Sequence, residues 1–339
     1  MKVEEHILKT PRHETFYLAC GAHDAPLLVL LHGWPELALS WRHQLRYFGG
    51  RGFRAVAPDM RGYGRSTVYR RHEDYAVEQS VADMVELLEH LGRDKAIWIG
   101  HDWGAPVVWA IASHYPEKCL GVAALCVPYE PAGFAPANLV PLVDREIYPA
   151  DQYPVGQWDY QFFYQESFDK ARVPFEANVR NTVKALFRKG DPSRQGTPSR
   201  IATVRRDGGW FGGKAAAPDV PMDRDLLTEE DLDEYAAALE RNGFFGPNSW
   251  YMNAERNVAY AKQARNAGRL SMPVLFFHGV YDYTCETVRS RLAEPMRQYC
   301  ANLTEVTVPC GHWMAQEKPD LVNAGLASWL AARFPGMTG

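Results

Sequence analysis

Ile99-Gly100-His101-Asp102-Trp103-Gly104 stands where an apolar run over residues 95–99 gives way to a helical pattern over about residues 103–115, limited by Pro116. Glycines two places before and two places after a central residue permit the sharp strand-to-helix turn of a nucleophile elbow, where larger side chains collide. Serine is the usual central residue of such a turn; here it is Asp102. The N-terminus of the following helix favours an ionised carboxylate. A plain capping aspartate is the bland alternative. It does not call for glycine on both sides behind a strand.

Aspartate at the turn constrains the chemistry. A serine attacking a saturated carbon leaves an ether that activated water cannot easily cleave. A carboxylate attacking the same carbon leaves an ester, which water opens while the carboxylate is regenerated. Asp102 therefore points to displacement at a saturated carbon, as in an epoxide or an alkyl halide.

Working outward, the first 128 residues alternate short aliphatic runs with amphipathic segments. Residues 3–9 and 15–20 read as an opening hairpin. Leu27–Leu31 and residues 53–57 read as strands buried on both faces. Val77, Val81, Met84, Val85, Leu88 and Leu91 follow helical spacing up to Gly92. Residues 121–127 form another inner strand. This alternation predicts a doubly wound, mostly parallel sheet. From Pro128 the strand-like runs stop until Pro273. Aromatic-rich helices are expected at about 157–168, 174–187, 228–242 and 247–267, with a glycine- and proline-rich loop over 189–221. Strands return at 274–278 and 305–308, each followed by a helix, at about 286–299 and 319–334. The expected organisation is an α/β core over 1–128 and 270–339, with a helical lid over 129–269.

The ester step needs a base. His312, in Pro309-Cys310-Gly311-His312-Trp313, follows the last expected strand and can face the same sheet edge as Asp102. Asp282 follows the preceding strand and can orient the imidazole. A surface histidine and a turn aspartate are the bland readings; finding both at strand ends weighs against them. His32-Gly33-Trp34-Pro35-Glu36 follows Leu27–Leu31. The backbone amides of Trp34 and Trp103 can form an oxyanion hole. An ordinary Gly-Pro turn is the alternative. His32 and His101 are expected to hydrogen-bond within the core.

Taken together, His32-Gly33-Trp34-Pro35-Glu36, Asp59-Met60-Arg61-Gly62-Tyr63-Gly64-Arg65-Ser66, Gly100-His101-Asp102-Trp103-Gly104 and Cys310-Gly311-His312-Trp313 resemble the core motifs of soluble epoxide hydrolases of the α/β-hydrolase fold. The order Asp102, Asp282, His312 is that fold's nucleophile, acid, histidine. Asp159-Tyr160-Gln161-Phe162-Phe163-Tyr164 and Pro247-Asn248-Ser249-Trp250-Tyr251 look like the segments that carry the family's paired tyrosines. The resemblance implies that Tyr160 and Tyr251 hold the epoxide oxygen, with Tyr164 nearby as a competing choice for the first. Spacing alone does not single these two out among 17 tyrosines. A phenol nevertheless suits the task, because it donates a hydrogen bond and stays protonated at neutral pH. Trp34, Trp103, Phe162, Phe163 and Trp250 are candidate substrate-lining residues, as are Trp210 and Phe211; packing of the lid is the alternative for several.

The implied reaction converts a lipophilic epoxide and water to a vicinal diol through an ester on Asp102, without metal or organic cofactor. A haloalkane dehalogenase on the same scaffold is the nearest rival, and a catalytically silent binder of small hydrophobic ligands is another. The formal charge of −4 gives no reason to bind nucleic acid or an anionic membrane. An apolar content of 46% with 23% charged residues argues against disorder or coiled coil. No apolar run approaches a membrane span, and Met1 to His6 lack the apolar region of a signal peptide. Six scattered cysteines read as free thiols in a reducing compartment. The expectation is a cytoplasmic monomer or homodimer.

Overall fold

In the computed structural model, which describes residues 2–337, eight strands form one sheet in the order β1-β2-β4-β3-β5-β6-β7-β8. They are β1 (Glu4–Lys9), β2 (Glu14–Cys20), β3 (Leu27–Leu31), β4 (Arg54–Pro58), β5 (Ala96–His101), β6 (Cys119–Leu125), β7 (Leu270–Gly279) and β8 (Cys300–Val308). β1, β2 and β4 pair antiparallel. From β4 through β8 the pairing is parallel. Every residue of β3, β4 and β5 is buried, as strands covered on both faces must be. Helices α1 (Arg42–Gly49), α2 (Val77–His90) and α3 (Gly104–His114) intervene. The fold is that of an α/β hydrolase core, with α2 packed on α3.

The strand order reverses between β3 and β5. Crevices for ligands open at such a switch point, beyond the carboxyl ends of the strands. Gly33 and Trp34 leave β3 there, and Asp102 leaves β5.

Between β6 and β7 the described residues form helices and turns but no strand. The helices are α4 (Pro136–Leu139), α5 (Asp159–Glu166), α6 (Phe168–Glu176), α7 (Val179–Leu186), α8 (Glu229–Asn242), α9 (Phe245–Ser249) and α10 (Ala254–Ala261). α8 starts with a reciprocal capping box between Thr228 and Asp231. The helix expected at 174–187 is two: Asn178 caps the amide of Asn181 and starts α7 afresh. Residues 189–221 hold only short 3-10 turns, at Pro192–Arg194 and Arg200–Thr203.

Beyond β7 the elements are α11 (Glu294–Tyr299), α12 (Met314–Glu317) and α13 (Pro319–Arg333). α13 packs beside α1. The helix expected from 286 begins only at Glu294. The Glu286 carboxylate accepts the amides of Val288, Arg289 and Ser290 at 2.7–2.8 Å and turns that stretch into a loop. β7 and β8 start earlier than expected because Leu270 pairs with Cys300 across an irregularity before Pro273. No helix among the described residues is long and apolar enough to cross a membrane. All six cysteines are free and buried. Met1, Thr338 and Gly339, the outermost residues of the expected core, lie outside the described residues.

Candidate active site

Asp102 sits at the β5–α3 turn with φ of +47°, a conformation that costs a residue other than glycine and is held by its surroundings. The flanking glycines are steric necessities. A Cβ at Gly100 would meet Gly104 O at 2.5 Å, and one at Gly104 would meet Leu31 O at 2.2 Å. The turn thus lifts the Asp102 side chain clear of the sheet edge toward β3.

The amide of Trp34 donates to Asp102 Oδ1 at 2.6 Å. The Trp103 amide lies on the same side: a Cβ at Gly33 would fall 2.3 Å from Oδ1 and 2.6 Å from Trp103 N. The Trp34–Pro35 peptide is cis. Asp102 Oδ2 faces His312 Nε2 at 3.3 Å. His312 Nδ1 donates to Asp282 Oδ2 at 3.0 Å. Asp282 Oδ1 accepts the amides of Thr284 and Cys285 at 2.9 and 3.0 Å.

These contacts set the charges. Burial resists ionisation of Asp282, but the His312 charge and its hydrogen bonds hold the carboxyl at about 2. Burial also opposes a charged His312. The Asp282 charge and the hydrogen bonds to both carboxylates outweigh it and push the imidazole well above its ordinary value.

Tyr160 projects from α5, and Tyr251 from the turn after α9. Their rings are 5.5 Å apart, and Tyr251 is 5.2 Å from Trp103. Burial first, with the Asp102 charge among the further causes, keeps both phenols far above their ordinary pKa. Gln161 Nε2 donates to Tyr160 Oη at 3.2 Å, which leaves the phenolic proton free to be given away. Tyr164 stacks on Tyr251 at 4.5 Å, so all three tyrosines gather here.

The expected lining residues divide. The Trp34 indole donates to Asn248 Oδ1 at 3.0 Å. The Trp103 and Trp250 rings lie 6.0 Å apart. Phe163 is buried. Phe162 is half-buried beneath the Arg205 guanidinium. Trp210, from the glycine-flanked loop, comes within 5.4 Å of both Trp34 and Tyr160.

His32 and His101 hydrogen-bond within the core as expected, and Glu36 joins their network. Glu36 Oε2 accepts the Gly33 amide at 3.0 Å and the His101 Nδ1 proton at 2.7 Å. His101 Nε2 donates to the His312 carbonyl at 2.8 Å. Despite burial, the His101 charge holds Glu36 at about 2. His32 donates to Gly33 O and accepts the Met60 amide, both at 2.9 Å. His101, Cys126 and His312 place ligand-type atoms within 4.8 Å of one another. Both nitrogens of each imidazole already have partners, and burial pushes the Cys126 thiol well up, so the group does not suit a resident cation.

The family described as alpha/beta hydrolase fold matches residues 26–319, and the chain belongs to it. The chain is also similar to Epoxide hydrolase B of Mycobacterium tuberculosis, 32% identical, over 92% of this chain and 93% of that one. Bifunctional epoxide hydrolase 2 of Sus scrofa is 35% identical, over 96% of this chain and 54% of that one. The chain spans about half the length of the bifunctional epoxide hydrolases it matches. Among solved structures, Epoxide Hydrolase A from Mycobacterium thermoresistibile superposes with a TM-score of 0.79 at 30% identity, covering 97% of this chain and 98% of that one. Within the fold, then, this chain is a member of the epoxide hydrolase family.

Proposed function

We propose that this chain hydrolyses a lipophilic epoxide to a vicinal diol through a covalent ester on Asp102. The observation that carries the reading is the division of labour on one carboxylate: Oδ1 receives the Trp34 amide while Oδ2 faces His312. Residues 129–269 act as the lid, over a core of residues 1–128 and 270–339.

In the first step Asp102 Oδ2 attacks one ring carbon from the side opposite its oxygen. The carbon–oxygen bond breaks, and the nascent alkoxide takes a proton from the phenols of Tyr160 and Tyr251. Esterification removes the Asp102 charge, one of two that hold the proton on His312. The imidazole cedes that proton toward the depleted phenol and becomes a base. His312, oriented by Asp282, then takes a proton from water as its oxygen adds to the ester carbonyl. The tetrahedral oxyanion forms on Oδ1, where the Trp34 and Trp103 amides meet it; one such donor is worth about 10²–10³ in rate. The bond from Cγ to Oδ2 breaks, Oδ2 takes the proton His312 gained from water, the new carboxyl returns its own proton to His312, and the diol leaves with Oδ2.

Trp34, Trp103, Phe163 and Trp250 offer buried apolar faces that favour a lipophilic substrate; Phe162 is only half-buried. Six buried thiols suit a reducing compartment, and the reading places the enzyme in the cytoplasm. Styrene-type, aliphatic and fatty-acid epoxides tested for diol formation, beside haloalkanes tested for halide release, check the proposal. Diol without halide is expected; halide release without diol overturns it.

A further inference from the structure

The loop that carries His312 is held from two sides. From the core, His101 and Cys126 both reach the His312 carbonyl, at 2.8 and 3.1 Å. From the other side comes Glu317, at the end of α12. Its Oε2 accepts the amide of Gly311, the residue before His312, at 2.8 Å. The same oxygen accepts the amide of Gly190, in the segment after α7, at 3.0 Å.

The two glycine backbones touch. A Cβ at Gly190 would fall 2.4 Å from Gly311 N, and one at Gly311 would fall 2.6 Å from Gly190 N. A side chain at either place must force the strands of backbone apart. Beside this contact the Trp313 indole donates to Leu186 O at 3.0 Å. Phe187 stacks on Trp313 at 4.5 Å. Four contacts therefore tie the neighbours of His312 to the end of α7, and none of them touches Asp102.

We propose that Glu317 is a positioning residue for ester hydrolysis: by clamping Gly311 to Gly190, it makes the placement of His312 depend on the seating of the lid. The proposal rests on the two-step reading above. A carboxylate oxygen that accepts two amides makes charge-assisted bonds, and removing it orphans both donors. Ring opening occurs at Asp102, whose backbone the β5–α3 turn fixes and whose Oδ1 the Trp34 amide holds; the clamp reaches Oδ2 only through His312. Hydrolysis needs His312 aligned with water and the ester carbonyl, and small displacements of such a base are costly. The carboxylate is needed as an acceptor, not for its charge, since it does not contact the imidazole.

Quench-flow with intact-mass detection, using excess protein and a styrene-type epoxide, separates ester formation from ester decay. Glu317→Ala is expected to leave formation within about twofold and to slow decay about 10- to 100-fold. Glu317→Gln, which keeps an acceptor oxygen at the same reach, should restore most of the decay rate. Gly190→Ala, more than a hundred residues away in sequence, should slow the same step. Equal slowing of both steps, a glutamine variant as slow as the alanine variant, or unaltered decay in Gly190→Ala overturns the proposal. If the unaltered protein forms no ester, the two-step reading itself fails and the proposal falls with it. An ester that forms and decays alike in every variant refutes the clamp alone.

Discussion

Asp102 offers its two carboxylate oxygens to opposite partners: Oδ1 accepts the Trp34 amide at 2.6 Å, while Oδ2 stands 3.3 Å from His312 Nε2. The first oxygen already occupies the place where charge gathers when an ester carbonyl is attacked. In the proposed reaction the second is the nucleophile. Asp102→Ala should therefore abolish both ester and diol, with turnover falling by about 10⁴-fold or more. Diol production measured beside intact mass checks it.

His312→Gln should separate the steps. Asp102 remains to open the ring, and no base remains to cleave the ester. One equivalent of epoxide should add to the protein and stay there, visible as a stable mass increase. Unstalled turnover would remove His312 from its role.

In the proposed reaction the phenols serve ring opening. Tyr160→Phe and Tyr251→Phe should each slow ring opening by about 10²-fold, the low end for a lost charge-stabilising donor, and leave ester decay nearly unchanged. Quench-flow kinetics on each variant read both rates. Equal damage to both steps would count against the assignment.

The acidity of the site gives a pH dependence with a definite sign. His312 is held well above its ordinary value by Asp282 and Asp102, and esterification removes the second of these. Ester decay should rise with pH through the lowered imidazole pKa and then level off, over about pH 5 to 9. Stability follows from the same groups. Asp282 and Glu36 are both depressed to about 2 in the fold. Their contribution is complete above the ordinary carboxylate pKa of about 4 and is lost as pH falls from there toward 2. His312 is raised, so its contribution is complete below about 6.5 and fades as pH climbs through the folded value. Thermal melting across pH should show the acid-side loss, and Asp282→Asn should flatten it.

A structural test lies away from the chemistry. Arg61 binds both Asp83 oxygens, at 2.7 and 2.8 Å, with both side chains 2% exposed. Asp83→Ala leaves that guanidinium buried without its carboxylate and should cost about 3–5 kcal/mol. Denaturant melts measure it.

The sequence was most informative where a local rule had no competitor. Leu27–Leu31 is continuously apolar, and the structure buries all five residues. Glycines at 100 and 104 flag the turn because a side chain at either would strike backbone. α1 has no legible apolar period because its buried face includes Arg42 and Gln44. Only the end of β8 carries a strand signal, because most of its length is exposed or half-exposed. Among the residues proposed for the site, Asp102, Asp282 and His312 could be chosen from strand ends. Tyr160 and Tyr251 could not, because their meeting depends on how α5 and the turn after α9 fold back, and only the family resemblance pointed to them. Glu36 has no local signal of its role, since its partner His101 lies 65 residues away. Trp210 reaches Trp34 only through the course of a long loop.

The central claim is that Asp102 donates one of its own oxygens to the product. A single turnover in ¹⁸O-water, with protein in excess, tests it most directly. The account predicts that the first diol carries no label and that ¹⁸O appears in the peptide containing Asp102. Label entering the diol in that first turnover, with the Asp102 peptide unlabelled, would contradict it.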